Sequence, residues 1–301
     1  MTTGLLLGAG ASCEIGMPLV WELTQEIKDW LTPATLNKLN AEWHKQGNGH
    51  IDTVIDRATA LLQRQELHYE ALLGAFEVEF RRDRSDAQEL HHLYSWLVEL
   101  VYHTLYVRHI RNPGFIQCNL SRLEGIARLA ELNAPLWIFS LNHDCLIESL
   151  AAQHGLAVSA GLSSDTISLP RRDSAGAVIG ELTAETLSAE ELEHHGMPFL
   201  WNGERGINLL KIHGGLDMFT LGDTGTLARI LPTKDGVPGI LDMLQAANED
   251  LLYRDARLPS GKVRFVNEIT YADSKGEMQS LRRSCFLVRS NLGTRRIKPL
   301  R

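Results

Sequence analysis

Cysteine is scarce in this chain. The four residues, Cys13, Cys118, Cys145 and Cys285, include no pair at CxxC spacing. Structural zinc takes four clustered Cys or His ligands, so no zinc ribbon is expected and the metal expectation is none. Long apolar runs are absent as well. No segment approaches the ~18 residues of a membrane span. Leu5-Leu6-Leu7 passes straight into glycine without the stretch of a signal peptide, so a cytoplasmic location is expected, with reduced thiols. Positive charge is also not in excess: 37 acidic residues against 30 Lys and Arg give a net charge of -7. No global field therefore draws the chain to nucleic acid. The last twenty residues are the exception, with Arg282, Arg283, Arg289, Arg295, Arg296, Lys298 and Arg301 and no acid. Such a tail is either a solvated end or a contact for nucleic acid or an acidic partner.

What is present is an apolar fraction of 44% over 301 residues, enough for a sizeable core. The chain opens as strand (Leu5–Leu7), glycine-rich turn (Gly8 to Ser12) and a helix begun by Pro18. Helical spacing then dominates to about Asn133, as in Val20, Leu23, Ile27 and Leu31. The expectation is a helical lobe over 19–133. Strand character returns at Leu136–Leu141, followed by a helix over Cys145–Ala152. Residues 160–205 read as loops with a short helix near Ala189–His194. Ile207–Ile212 is another strand, and Lys262–Tyr271 with Ser280–Val288 form a late hairpin about Asp273–Gly276.

Three short segments can carry chemistry. Gly8-Ala9-Gly10-Ala11-Ser12, with Gly16-Met17-Pro18, joins a strand to a helix, where free backbone N–H groups can hold a diphosphate. The alternative is an ordinary strand–helix turn. This is not the dehydrogenase fingerprint, because Cys13 stands where the third glycine belongs and no second strand ending in an acid follows. Ser140-Leu141-Asn142-His143-Asp144 also follows a buried strand. Its Asn, His and Asp can fix a sugar hydroxyl, a water and an amide, or the Asn and Asp simply cap the next helix. Lys211-Ile212-His213-Gly214-Gly215 places a histidine at a third strand end, either as a base facing a cleft or as a structural residue beside a turn. His91-His92 and Glu193-His194-His195 suggest metal only superficially, since adjacent side chains on a helix diverge by about 100°.

Taken together, GAGAS with GMP, SLNHD and KIHGG resemble the sirtuin superfamily in order and character, most closely the zinc-free sirtuin-like NAD hydrolases of prokaryotic anti-phage systems. The match is to short islands. The resemblance implies an α/β fold, a Rossmann-like parallel sheet with a large helical insertion, as one NAD-binding domain over 1–301. It implies that Gly8, Ala9, Gly10, Ser12 and Ser140 bind NAD. Asn142 and Asp144 would contact the nicotinamide ribose and nicotinamide, and His213 would be the base. The implied reaction is cleavage of NAD to nicotinamide and ADP-ribose. A homo-oligomer or an activating partner would control it. NAD-dependent protein deacylation and non-catalytic NAD or ADP-ribose sensing are the alternatives, and the lack of zinc cysteines counts against the first. The family's last strand ends in a Gly-Tyr-Ser type turn, for which Ser290-Asn291-Leu292-Gly293-Thr294 is a poor counterpart.

Overall fold

The structure is a computed structural model. It describes residues 4–45, 47, 49–82, 85–162, 165–172, 178–221 and 226–248, and the strand residues 253–254, 263–264, 268–272 and 278–283. The fold is α/β. Strands β1 (Gly4–Leu7), β2 (Leu136–Ser140), β3 (Ala157–Ser159) and β6 (Gly206–Lys211) form an all-parallel sheet in the order β1-β2-β6-β3. Between β1 and β2 the described residues hold only helices: α1 (Ala9–Cys13), α2 (Val20–Trp30), α3 (Pro33–Lys45), α4 (Asp52–Leu62), α5 (Tyr69–Arg81), α6 (Ala87–Arg111), α7 (Pro113–Asn119), a short 3-10 turn (Leu120–Leu123) and α8 (Glu124–Leu132).

The helix starts differ from expectation in one instructive way. The glycine-rich segment is not an extended turn: Gly8 alone makes the corner and α1 begins at Ala9. Pro18 does not open a helix either. Leu19 caps α2, and its N–H donates to Glu22 Oε2 at 2.8 Å. Pro33 and Pro113, which punctuate the sequence, are the first residues of α3 and α7, where proline's fixed φ and missing N–H cost nothing.

Helices α7, α8 and α9 (Leu146–His154) cover one face of the sheet. Ile116, Leu120, Ala127, Leu146 and Leu150 pack there with Leu136, Ile138, Ile207 and Leu209. On the other face, Leu6 and Phe139 of neighbouring strands remain exposed.

The second half departs from the expected loops. Residues 160–205 contain β4 (Thr166–Arg172) and β5 (Val178–Leu187), a long antiparallel pair, before α10 (Ala189–His195). With β7 (Met218–Leu221), β8 (Thr226–Leu231), β11 (Glu268–Ala272) and β12 (Met278–Arg283) they close a six-stranded barrel, in the order β11-β12-β7-β8-β5-β4. The late hairpin is the β11–β12 pair, with Glu268 opposite Arg282 and Ala272 opposite Met278. Its expected first strand is divided, because Val263–Arg264 (β10) pairs instead with Tyr253–Arg254 (β9). Residues 284–301, including the tail and the poor counterpart of the Gly-Tyr-Ser turn, lie outside the described residues. Helix α11 (Gly236–Asn248) joins the helical lobe to the barrel in one core, in which Leu244 and Met243 sit with Tyr102, Phe76, Phe219 and Ile230.

Candidate functional site

Three neighbouring strands end at one level. Leu7, Ser140 and Lys211 are paired across β1, β2 and β6. The pairing runs one residue further, since Leu141 N donates to Leu7 O and Ile212 N to Ser140 O, both at 2.9 Å. Ligands in open α/β sheets sit beyond such carboxyl ends, and each of the three sequence motifs leaves from one of them. Together they wall a cavity of about 160 Å³, room for roughly five waters. Gly8, Ala9, Ser12, Asn142, Asp144 and His213 all line it. Gly10 does not: it is exposed within α1. Ser140 does not reach the cavity either. It is buried, and its Oγ accepts the Asn142 N–H at 3.1 Å. A Cβ at Gly8 or Gly10 would meet nothing within 4 Å, so packing within the chain demands glycine at neither place.

Asn142 ties the first two motifs together. Its Nδ2 donates to Gly8 O at 2.9 Å and to Ser12 Oγ at 2.8 Å. Both amide hydrogens are thereby engaged, and the side-chain carbonyl oxygen is left for a ligand. Asp144 accepts the Leu146 N–H at 3.2 Å through Oδ1, just before the start of α9, while still bordering the cavity. His213 is 12% exposed at its side chain. Its Nδ1 is enclosed, has no hydrogen-bond partner and lies 3.9 Å from Glu70 Oε1.

His143, of the second motif, and several residues that were not anticipated also line the cavity. His143 has its ring centroid 6.1 Å from that of His213, and its Nδ1 donates to Gly214 O at 3.3 Å. Burial first, then the neighbouring His213, lower its pKa to about 4. It is therefore neutral near pH 7 and a weak base. Tyr69, Glu70 and Leu105 come from the helical lobe. His109, also from α6 and fully buried, accepts the Cys145 N–H through Nε2 at 3.1 Å.

Lys211 points the opposite way from the cavity. Its Nζ lies 2.5 Å from Glu148 Oε1, 3.0 Å from Asp217 Oδ1 and 3.5 Å from Cys145 Sγ. Asp217 Oδ2 also accepts from Arg229 Nε at 2.9 Å. Burial alone would lower the lysine's pKa, but the Asp217 and Glu148 carboxylates outweigh it and hold the ammonium charged. Burial also works against the Asp217 carboxylate, and the two cations overcome it, leaving its pKa depressed. Burial raises Glu148. Cys145, Glu148 and Asp217 are grouped closely enough to hold a metal ion, but the Lys211 ammonium stands among them. The paired glycines after His213 have distinct reasons. Gly214 turns with φ +79, and a Cβ at Gly215 would press on Asp217 Oδ1 and Lys211 Cδ.

A second cavity, about 180 Å³, lies beside this ion cluster between the sheet and the barrel, with Leu162, Met197, Leu209, Met218 and Leu227 in its wall. Its charged residues face one another, so it offers less to a polar ligand. No family model and no curated protein sequence matches this chain.

Proposed function

We propose that the chain binds NAD at the cavity formed by the three motifs and hydrolyses its nicotinamide–ribose bond. The observation that carries this reading is the convergence of Gly8, Ala9, Ser12, residues 142–144 and His213 on one cavity at the carboxyl ends of three adjacent parallel strands. The resemblance of those segments to the sirtuin superfamily supports the choice of ligand. In the balanced reaction, NAD and water give nicotinamide, ADP-ribose and a proton. The bond from ribose C1′ to the pyridinium nitrogen breaks, and its electron pair neutralises the departing ring. Leaving-group protonation is therefore unnecessary, and the demand falls on the ribose cation and the incoming water. Asp144, at the cavity wall, supplies negative charge where positive charge develops. His213 takes the proton of the water, directly or through a ribose hydroxyl. The carbonyl oxygen of Asn142 orients the ribose or the water. The diphosphate lies along Gly8, Ala9 and Ser12, and close approach of a ligand gives Gly8 the reason that packing does not.

A latent enzyme controlled by self-association or a partner, serving anti-phage defence through NAD depletion, is the biological form of this proposal. It rests on the resemblance alone. A second reading is favoured by one observation: the amide hydrogens of Asn142 and the Oδ1 of Asp144 are already engaged within the chain. A module that senses NAD or ADP-ribose without turnover would use the same cavity. Incubation with NAD, followed by chromatography of nicotinamide and ADP-ribose, separates the two. Product release supports hydrolysis. Measured NAD binding with no release, at all protein concentrations tried, supports the sensor and sinks the enzyme.

A further inference from the structure

We propose that Glu70, carried by the helical lobe, is a positioning residue for His213: it accepts the Nδ1 proton and so leaves Nε2 as the basic nitrogen. The proposal rests on the reading of His213 as the base. A neutral imidazole has one N–H, and the partner of one nitrogen fixes the state of the other. The Nδ1 of His213 is enclosed and without a hydrogen-bond partner. Glu70 Oε1 is 3.9 Å away, too long for a hydrogen bond but closed by a small rotation of either side chain.

Glu70 is suited to the task. Its Oε1 also accepts from the Tyr69 hydroxyl at 3.1 Å, which anchors the carboxylate at the cavity wall. A second histidine, His68, approaches the other oxygen, Oε2, at 3.9 Å, so the two imidazoles do not compete for one acceptor. Without the carboxylate, a proton on Nδ1 would be buried and unpaired, which is unfavourable. The proton would move to Nε2, and the histidine would then present no lone pair there. The lobe thereby becomes part of the chemistry: the first turn of α5 sets the tautomer of a residue just past the end of β6.

The test compares Glu70→Ala and Glu70→Gln in the full chain, with circular dichroism confirming the fold of each. Isotope-edited NMR of the histidine ring nitrogens, assigned with a His213→Ala sample, reads the tautomer at alkaline pH without any need for turnover. The expected result is an Nδ1-protonated ring in the wild type and in Glu70→Gln, whose amide oxygen can still accept, and an Nε2-protonated or mixed ring in Glu70→Ala. In NAD cleavage, kcat of Glu70→Ala should fall about ten- to a hundredfold, part of the ~10²–10⁴ that a positioned base contributes. KM should stay nearly constant, and Glu70→Gln should retain most of the rate. An unchanged His213 tautomer in folded Glu70→Ala overturns the proposal. A changed tautomer with no NAD cleavage by any of the proteins leaves the pairing standing and overturns the hydrolase reading instead.

Discussion

The two most deeply buried histidines make the stability of this fold depend on pH in a way that can be calculated. His143 and His109 each have a pKa lowered from 6.5 to about 4, with burial the first cause. Their folded pKa lies below the unfolded value, so the unfolded chain binds more protons between those limits. The stabilisation is complete above 6.5 and is lost as pH falls toward 4. Between about pH 7.5 and 5, protonation favours the unfolded form of one such histidine by a factor of roughly 30, or about 2 kcal/mol, and the pair by about 4 kcal/mol. Other groups act in the opposite sense. Glu148 and Glu185 are raised, burial again first, so acidification relieves part of their penalty. The raw slope is therefore a sum, and a variant isolates the histidine. His143→Gln can still donate to Gly214 O but does not titrate. Urea unfolding at the two pH values should show the variant losing about 2 kcal/mol less than the wild type, with an unchanged m-value. Equal losses in the two proteins would mean that His143 is not held neutral by burial.

Replacing His213 with Ala should lower NAD cleavage by about 10²–10⁴-fold while leaving the protein folded; wild-type turnover by the folded variant refutes its assignment as base. Asn142→Ala removes the bonds to Gly8 O and Ser12 Oγ, so a loss of roughly 1–3 kcal/mol in thermal or urea stability should accompany any loss of activity. Lys211→Met leaves Glu148 buried without its cation and should cost about 3–5 kcal/mol. Adding Glu148→Leu should recover much of that, and a double variant no more stable than Lys211→Met would show that the pair is not coupled.

The parts of the fold set by local periodicity were legible in the sequence. The apolar runs Leu5–Leu7, Leu136–Leu141 and Ile207–Ile212 are three adjacent strands within a residue or two, and their strand-end positions marked Asn142, Asp144 and His213. The barrel was not legible. In β5, Leu182 and Ala184 are buried between the more exposed Glu181, Thr183 and Glu185, and the alternation ends there, since Leu187 rather than Thr186 is the next buried residue. That period-two signal is diluted by glycine and polar residues until its partners, distant in sequence, supply the burial. Nor was Glu70. On an amphipathic helix a glutamate reads as solvated surface, and only the packing of α5 on α2 and α6 brings it to His213. Gly10 was over-read, because a glycine-rich segment matched the expected phosphate loop while the chain had already turned into helix at Ala9.

The insertion of the helices between β1 and β2 also sets a timetable. Gly4 pairs with Trp137, 133 positions later, and among the described strands β1 has no other neighbour. At ~5–20 residues per second of synthesis, β1 waits on the order of ten seconds before its partner leaves the ribosome. The helices between them, rich in local contacts, can form meanwhile. The strand that carries Gly8 into the cavity is thus among the last to be secured. Nascent chains arrested before Leu136 should present Leu5-Leu6-Leu7 to chaperones as an unpaired strand, whereas chains released after Lys211 should hold it paired with β2.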